Sequence, residues 1–328
     1  MQPLVSIVTP VYNGEQFLAE CIESVLRQTY QNWDYTIVNN CSTDRTLEIA
    51  QRFASRDPRI RVHDNRDFLP MMRNLNNAFR QISPQAKYCK MILADDWIFP
   101  ECLERMVALA EGNPSVAIVG AYGLDGRRLM WEGLPYPSPC VSGKALCRAT
   151  FLGGPYVFGM PTSLLYRADV VRCRESFYDE SNVHGDYLAC LDVLQNADFA
   201  FVHQVLTFRR RRSESATSFS LDYNTYVLET LTALQRYGPA YLSPQELKRC
   251  LKAWRSEYYH FLAKSAFRLR ERKFWDHHRN RLKELGTSLS WFRLSVAAML
   301  EILTGLFHPR ASLEAVWSSW RRRRPSGT

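Results

Sequence analysis

Two carboxylates stand side by side in K-M-I-L-A-D-D-W-I-F-P, residues 90–100, where Asp95 and Asp96 follow the apolar residues Met91, Ile92 and Leu93. At the end of a buried strand such a pair is costly. Like charges repel, and beside apolar surface at least one group binds a proton unless a cation neutralises the two. A hard divalent ion with oxygen ligands meets that need. The same residues also suit a solvated turn before a helix, because Asp caps helices well and Pro100 fits a first helical turn. Both readings stay open on this stretch alone. A further acid, Asp186, stands in His184-Gly185-Asp186-Tyr187, just ahead of Leu188, Leu191 and Leu194 at helical spacing.

The elements that must position these acids follow from the apolar pattern. Residues 5–8, 35–38, 60–63, 91–93 and 116–120 read as short buried strands, and between them apolar side chains recur at helical spacing, as in Leu18, Ile22 and Val25 or Leu75, Phe79 and Ile82. Strand and helix in alternation predict an α/β fold, a doubly wound and mostly parallel sheet with helices on both faces. Ligands bind beyond the carboxyl ends of such strands. Polar clusters stand there: Thr9 to Asn13, Asn39 to Asp44, Asp64-Asn65 and Asp95-Asp96. Four polar tips on one edge predict a pocket. Residues 121–220 are richer in Gly and Pro and hold Gly159-Met160-Pro161-Thr162-Ser163, short strands near 164–166 and 199–202, and a polar loop from Arg209 to Ser215. The expected organisation is a domain over 1–220, with halves 1–120 and 121–220, then a helical region with a basic tail over 221–328.

With 328 residues and 46% hydrophobic content the chain can bury the core of one large or two modest domains, which excludes a disordered protein. Nine cysteines without a C-x-x-C pair read as reduced thiols rather than disulfides or a zinc site. With no basic-then-apolar leader in MQPLVSIVTPVYN, a cytoplasmic location is expected. The net charge of +9 is uneven: residues 248–328 hold 18 Lys+Arg against 6 Asp+Glu. Such an end suits the anionic face of a membrane. It lacks interleaved recognition motifs, so no nucleic-acid partner is expected. Residues 289–307 are interrupted by Arg293 and Glu301, and the uncharged run between these is only seven residues where a spanning helix needs about 20; they suit an amphipathic helix packing on the protein or lying on a membrane. Trp317, Trp320 and the arginines at 321–324 have the composition of an interfacial anchor or of a solvated basic tail.

Taken together, SIVTPVYNGEQFLAECIESVLRQTYQNWDYTIVNNCSTDRTLEIA and KMILADDWIFP resemble the family 2 glycosyltransferases of the GT-A fold, over residues 3–220. The resemblance implies an inverting transfer of a sugar from a nucleotide sugar, with UDP the expected nucleotide, to an acceptor hydroxyl, assisted by Mg²⁺ or Mn²⁺. It implies that Pro10 and Tyr12 pack on the base and that Asn40 stands where the family's acid reads the uracil ring. Asn65 and Arg73 fall near the ribose and diphosphate, Asp95 on the donor, and Asp96 on the metal. Asp186 matches the general base, and Gly159, Thr162 and His184 the acceptor side. Arg210, Arg212 and Ser215 fall in the loop that closes over the diphosphate. Departures are Asn39 and Asn40, Leu93 two positions before Asp95, and Gly185 before Asp186, each in place of an acid. They motivate an alternative, a catalytically degenerate sugar-nucleotide-binding or scaffold protein. A nucleotidyltransferase carries a Gly-rich phosphate loop after its first strand, where this chain has Pro10-Val11-Tyr12-Asn13-Gly14. The basic end adds the expectation of peripheral contact with the inner face of a membrane. A lipid-linked saccharide in surface polysaccharide assembly would then be the acceptor.

Overall fold

Strand β1 (Val5–Val11) is buried at every position, as V-S-I-V-T-P-V requires of a strand covered on both faces. Helix α1 (Leu18–Leu26) leads to β2 (Trp33–Asn39), α2 (Thr46–Ala54) to β3 (Ile60–Asp64), and α3 (Met71–Phe79) to β4 (Tyr88–Met91). β1 pairs in parallel with β2 and β4, and β2 with β3. The computed structural model describes residues 2–132, 134–210, 223–267 and 270–307. They fall into two units, one spanning Met1–Ser218 with Arg236–Ser243, the other Phe219–Gln235 with Pro244–Thr328.

In the first unit the chain continues through β5 (Trp97–Ile98), α4 (Cys102–Glu111), β6 (Val116–Asp125), β7 (Arg128–Met130), β8 (Cys140–Val141) and α5 (Gly143–Phe151). A 3-10 turn (Pro161–Ser163), β9 (Leu165–Arg167), α6 (Ala168–Arg172), α7 (Gly185–Val193) and β10 (Asp198–Arg209) follow. The sheet order is β3-β2-β1-β4-β9-β6-β10-β5, with β7 on β6 and β8 on β10. The long pairings are parallel. The short strands β5, β7, β8 and β9 run antiparallel to their neighbours.

Between β4 and β6 lies β9, paired through Tyr88↔Arg167 and Ile118↔Tyr166. Two expectations are adjusted here. The strand before the acids ends at Met91 instead of spanning 91–93: its register with β1 closes at Val8↔Met91, and the chain then turns, with Asp96 N–H donating to Leu93 O at 2.9 Å. β10 outruns the expected 199–202, since irregularities near Val202 and Val205 let it follow β6 as far as Arg209. That extension carries Arg210 to the acids. Ile7, Leu18, Tyr35, Ile92, Met106 and Leu206 share one core; each fully buried Leu or Ile contributes about 1.5–3 kcal/mol.

The second unit contains α8 (Thr225–Arg236), α10 (Pro244–Phe267), α11 (Arg272–Glu284) and α12 (Trp291–Phe307), while the short α9 (Gly238–Tyr241) belongs to the first. Its core is aromatic. Trp254 stacks on Tyr258 with centroids 5.0 Å apart, and its indole N–H donates to Val227 O at 2.5 Å. Fully buried His278 packs on Phe274 at 4.5 Å, and burial pushes its pKa down to about 4.

Candidate active site

The ends of β1, β2 and β4 open onto a cleft of ≈ 300 Å³ whose walls include Pro10, Tyr12, Asn40, Phe68, Leu69 and Asp95. Tyr12 is 49% exposed, and its ring meets Phe68 edge to face with centroids 5.0 Å apart. Two aromatic rings at the rim of an apolar cleft suit a flat heterocycle. Phe68 escaped the sequence reading; its signal is an aromatic residue directly after the polar tip 64–67. The first two tips are tied together by Asn13, which adopts a left-handed φ of 48°. Its N–H donates to Ser42 Oγ at 3.0 Å and its Oδ1 accepts from Thr43 N–H at 2.8 Å.

The asparagines that replace the family's acids have structural partners. Asn40 Oδ1 accepts from Leu69 N–H at 2.9 Å and from Asn65 Nδ2 at 2.9 Å, while Asn40 Nδ2 donates to Leu69 O at 2.9 Å. A carboxylate could not make that last bond. Asn39 Nδ2 likewise donates to Asp64 Oδ1 at 2.7 Å, where an Asp would repel. The acceptor oxygen of Asn40 is thus spent on the protein. Asn65 sits behind it, donating also to Asn74 Oδ1 at 3.1 Å and accepting from Asn77 Nδ2 at 2.7 Å. Arg73 is not among the cleft residues: its side chain is 62% exposed and its Nε pairs with Glu180 at 3.1 Å.

Asp95 lines the cleft and Asp96, 3% exposed, lies behind it. Asp96 Oδ2 accepts from Thr162 Oγ1 at 2.7 Å and Oδ1 from Arg210 N–H at 3.2 Å. Burial, and then the neighbouring Asp95, push the Asp96 carboxyl up to about 7. That is the condition a divalent cation relieves. Among the described residues no group of three His, Cys, Asp or Glu side chains forms a metal cluster. The pair therefore fits a Mg²⁺ or Mn²⁺ ion that completes its shell with diphosphate oxygens and water. Lys90, wholly buried, fastens the Thr162 turn to β4: its ammonium donates to Thr162 O at 2.7 Å and Leu164 O at 3.2 Å, and burial pushes its pKa down. Arg210 Nε donates to Asp95 O at 3.4 Å, but its guanidinium lies 4.6 Å from the Phe17 ring centroid and pairs with Glu20. Arg212 and Ser215 lie outside the described residues.

Helix α7 begins against α3. A Cβ on Gly185 would stand 2.8 Å from both Met72 Cε and Asp179 O, which accounts for Gly where the family has an acid. Asp186 occupies the first turn, half-buried, with Oδ1 accepting from Tyr187 N–H at 2.9 Å, and burial pushes it up to about 6. His184 is 8% exposed and is pushed down to about 4 by burial, so it is neutral at pH 7. Gly159 has φ +71°, and a Cβ there would come 2.7 Å from Ser163 Cβ and 3.3 Å from the Trp131 indole. Trp131, itself at φ 68°, faces Tyr156 at 6.0 Å, and Tyr156 faces Tyr187 at 5.6 Å. These rings were not singled out in the sequence, where they are scattered among Gly and Pro. Gly159→Ala is expected to cost about 1–3 kcal/mol in urea unfolding. Gly153→Ala, at φ +92° with nothing within 4 Å, should cost about 1 kcal/mol.

Residues 6–142 match the family model of Glycosyl transferase family 2. The chain is 32% identical over 158 residues to the putative glycosyltransferase EpsE of Bacillus subtilis, covering 46% of this chain and 56% of that protein. It therefore spans about half the length of that curated relative. Among solved structures, S. aureus TarS 1-349 in complex with UDP-GlcNAc aligns with a TM-score of 0.66 at 17% identity, over 98% of this chain and 93% of that one. The mannosyltransferase PcManGT from Pyrobaculum calidifontis, in complex with GDP-Man and Mn²⁺, aligns with a TM-score of 0.57 at 13% identity, over 95% and 83%. At these identities the structural likeness shows the fold, which is of the GT-A type. The strand tips bearing Tyr12, Asn40, Asp95 and Asp96 lie inside the segment that is similar to Glycosyl transferase family 2.

Proposed function

We propose that the chain is an inverting, metal-dependent glycosyltransferase moving a sugar from a UDP-sugar to a saccharide hydroxyl. The observation that carries this reading is the Asp95–Asp96 pair at the back of an aromatic-rimmed cleft. The base packs on the exposed ring of Tyr12, which Phe68 supports edge to face, and Asn40 reads its polar edge. Asp95 and Asp96 would hold a divalent cation, which when bound would supply positive charge against the leaving diphosphate. Asp186 accepts the proton of the attacking hydroxyl. The acceptor oxygen bonds to C1 as the bond from C1 to the diphosphate oxygen breaks, and the electron pair leaves with the nucleotide. Support comes from the family match and from relatives of the same fold whose structures hold UDP-GlcNAc, or GDP-Man with Mn²⁺. The acceptor fitting the basic C-terminal end is a lipid-linked saccharide at the inner face of a membrane, in surface polysaccharide assembly.

Thermal unfolding with UDP, GDP and CMP, with and without Mn²⁺, tests the donor site. UDP with Mn²⁺ is expected to raise Tm, since a ligand that binds the native state alone stabilises it by mass action, ~2.7 kcal/mol at a hundred times Kd. No shift with any nucleotide would remove this reading. A catalytically degenerate binder is the second reading, favoured by Leu93 and Gly185 in place of acids. It predicts the Tm shift without release of UDP from the donor.

A further inference from the structure

Helix α12 (Trp291–Phe307) is apolar on both of its sides. One side faces its own unit: Leu294 is 8% exposed, and Glu301, beside it on the helix surface, pairs with His260 and with Lys264 at 3.9 Å. The opposite side carries Trp291 at 62% exposure, Phe292 at 79%, Met299 and Leu300 at 56%, Ile302 at 52% and Leu303 at 43%. At 100° per residue these six fall within one half of the helix circumference. An isolated surface Leu needs no explanation, but a contiguous apolar face of this extent marks an interaction surface.

The occupant follows from the charge of the chain on either side of that helix in sequence. Residues 248–328 carry 18 basic against 6 acidic residues, with four consecutive arginines at 321–324. An anionic bilayer answers both the charge and the apolar face. Trp291 and Phe292 open the helix, and aromatic side chains favour the headgroup region. At 17 residues α12 extends about 25 Å, and no described helix is long and apolar enough to cross a membrane. We infer that α12 lies in the plane of an anionic membrane surface, with the Phe292–Leu300–Leu303 side embedded among the headgroups. The docking stands on the helix itself; only the choice of leaflet rests on the reading of the acceptor as lipid-linked.

The test is co-sedimentation of the full chain with phosphatidylcholine vesicles, plain or containing roughly 30% phosphatidylglycerol, at low and high salt. The variant Phe292→Asp/Leu300→Asp alters two exposed positions and leaves the donor cleft untouched. The expected result is binding to the anionic vesicles, weakened by salt, and lowered at least roughly tenfold in the variant. UDP-induced stabilisation should be equal in both proteins, so that a failed donor site and a failed docking face are told apart. Three outcomes would overturn the proposal: no binding to anionic vesicles, equal binding by the variant, or a wild-type dimer by light scattering that the variant abolishes. The last would assign the face to a second copy of the chain.

Discussion

Asp96→Asn is expected to abolish the Mn²⁺-dependent part of UDP binding while leaving the ligand-free protein as stable as the wild type. The two readouts separate because of what holds Asp96. Its oxygens accept from Thr162 Oγ1 and from Arg210 N–H. An Asn keeps the Arg210 N–H contact through its Oδ1, while its Nδ2 faces Thr162 Oγ1, which already accepts from Leu93 N–H and must turn its own proton elsewhere. Removal of a buried charge beside Asp95 offsets the loss of that one hydrogen bond, so the unfolding midpoint should hold. The metal loses its charged ligand. Transfer should then fall by about 10³-fold, the scale of losing a principal electrostatic contact to developing charge. Thermal shift with UDP, with and without Mn²⁺, alongside UDP release from the donor, reads both. A large drop in ligand-free Tm would mean that Asp96 is a structural anchor of the Thr162 turn and not a metal ligand.

The parts of this site that were legible in the sequence are those encoded locally. A buried parallel strand is a short apolar run, and the polar residues after each run mark the sheet edge where ligands bind, so the sequence alone assigns Tyr12, Asn40 and Asp95 to one place. What escaped is set by distant partners. Lys90 reads as an ordinary surface lysine, yet it is wholly buried because the carbonyls of Thr162 and Leu164, more than seventy residues on, receive its ammonium. Asn40 reads as a lost acid, yet its amide is required by Leu69, 29 positions away. β9 enters between β4 and β6 by pairing that no periodicity announces. Arg73 shares α3 with the buried Asn74, but the intervening 100° of helix turns it to Glu180 and solvent. α12 shows the same limit from the other side: its apolar content was visible, but only the fold tells which half of it is covered.

Asp186→Asn should reduce transfer, to an acceptor or to water, by about 10²–10⁴-fold, the usual contribution of a general base. Nucleotide binding should not change, because Asp186 is not among the residues lining the donor cleft. The pH dependence carries the sharper test. Burial pushes the Asp186 carboxyl up to about 6, so the basic form is lost below that pH. The wild-type profile of kcat/KM should climb through about pH 6 to a plateau, and that acidic limb should vanish from the residual activity of the variant. Stability moves the opposite way. With its pKa raised in the folded state, Asp186 favours folding below its ordinary value of 3.8, and that advantage is lost as pH rises through about 6. At pH 8 the variant, spared a half-buried charge and still able to accept from Tyr187 N–H, should unfold at the same temperature as the wild type or above it. A helix-capping role alone predicts the reverse pattern: turnover and its pH profile nearly intact, with Tm lowered. Measuring both curves on one preparation decides whether this carboxylate takes the proton or merely starts a helix.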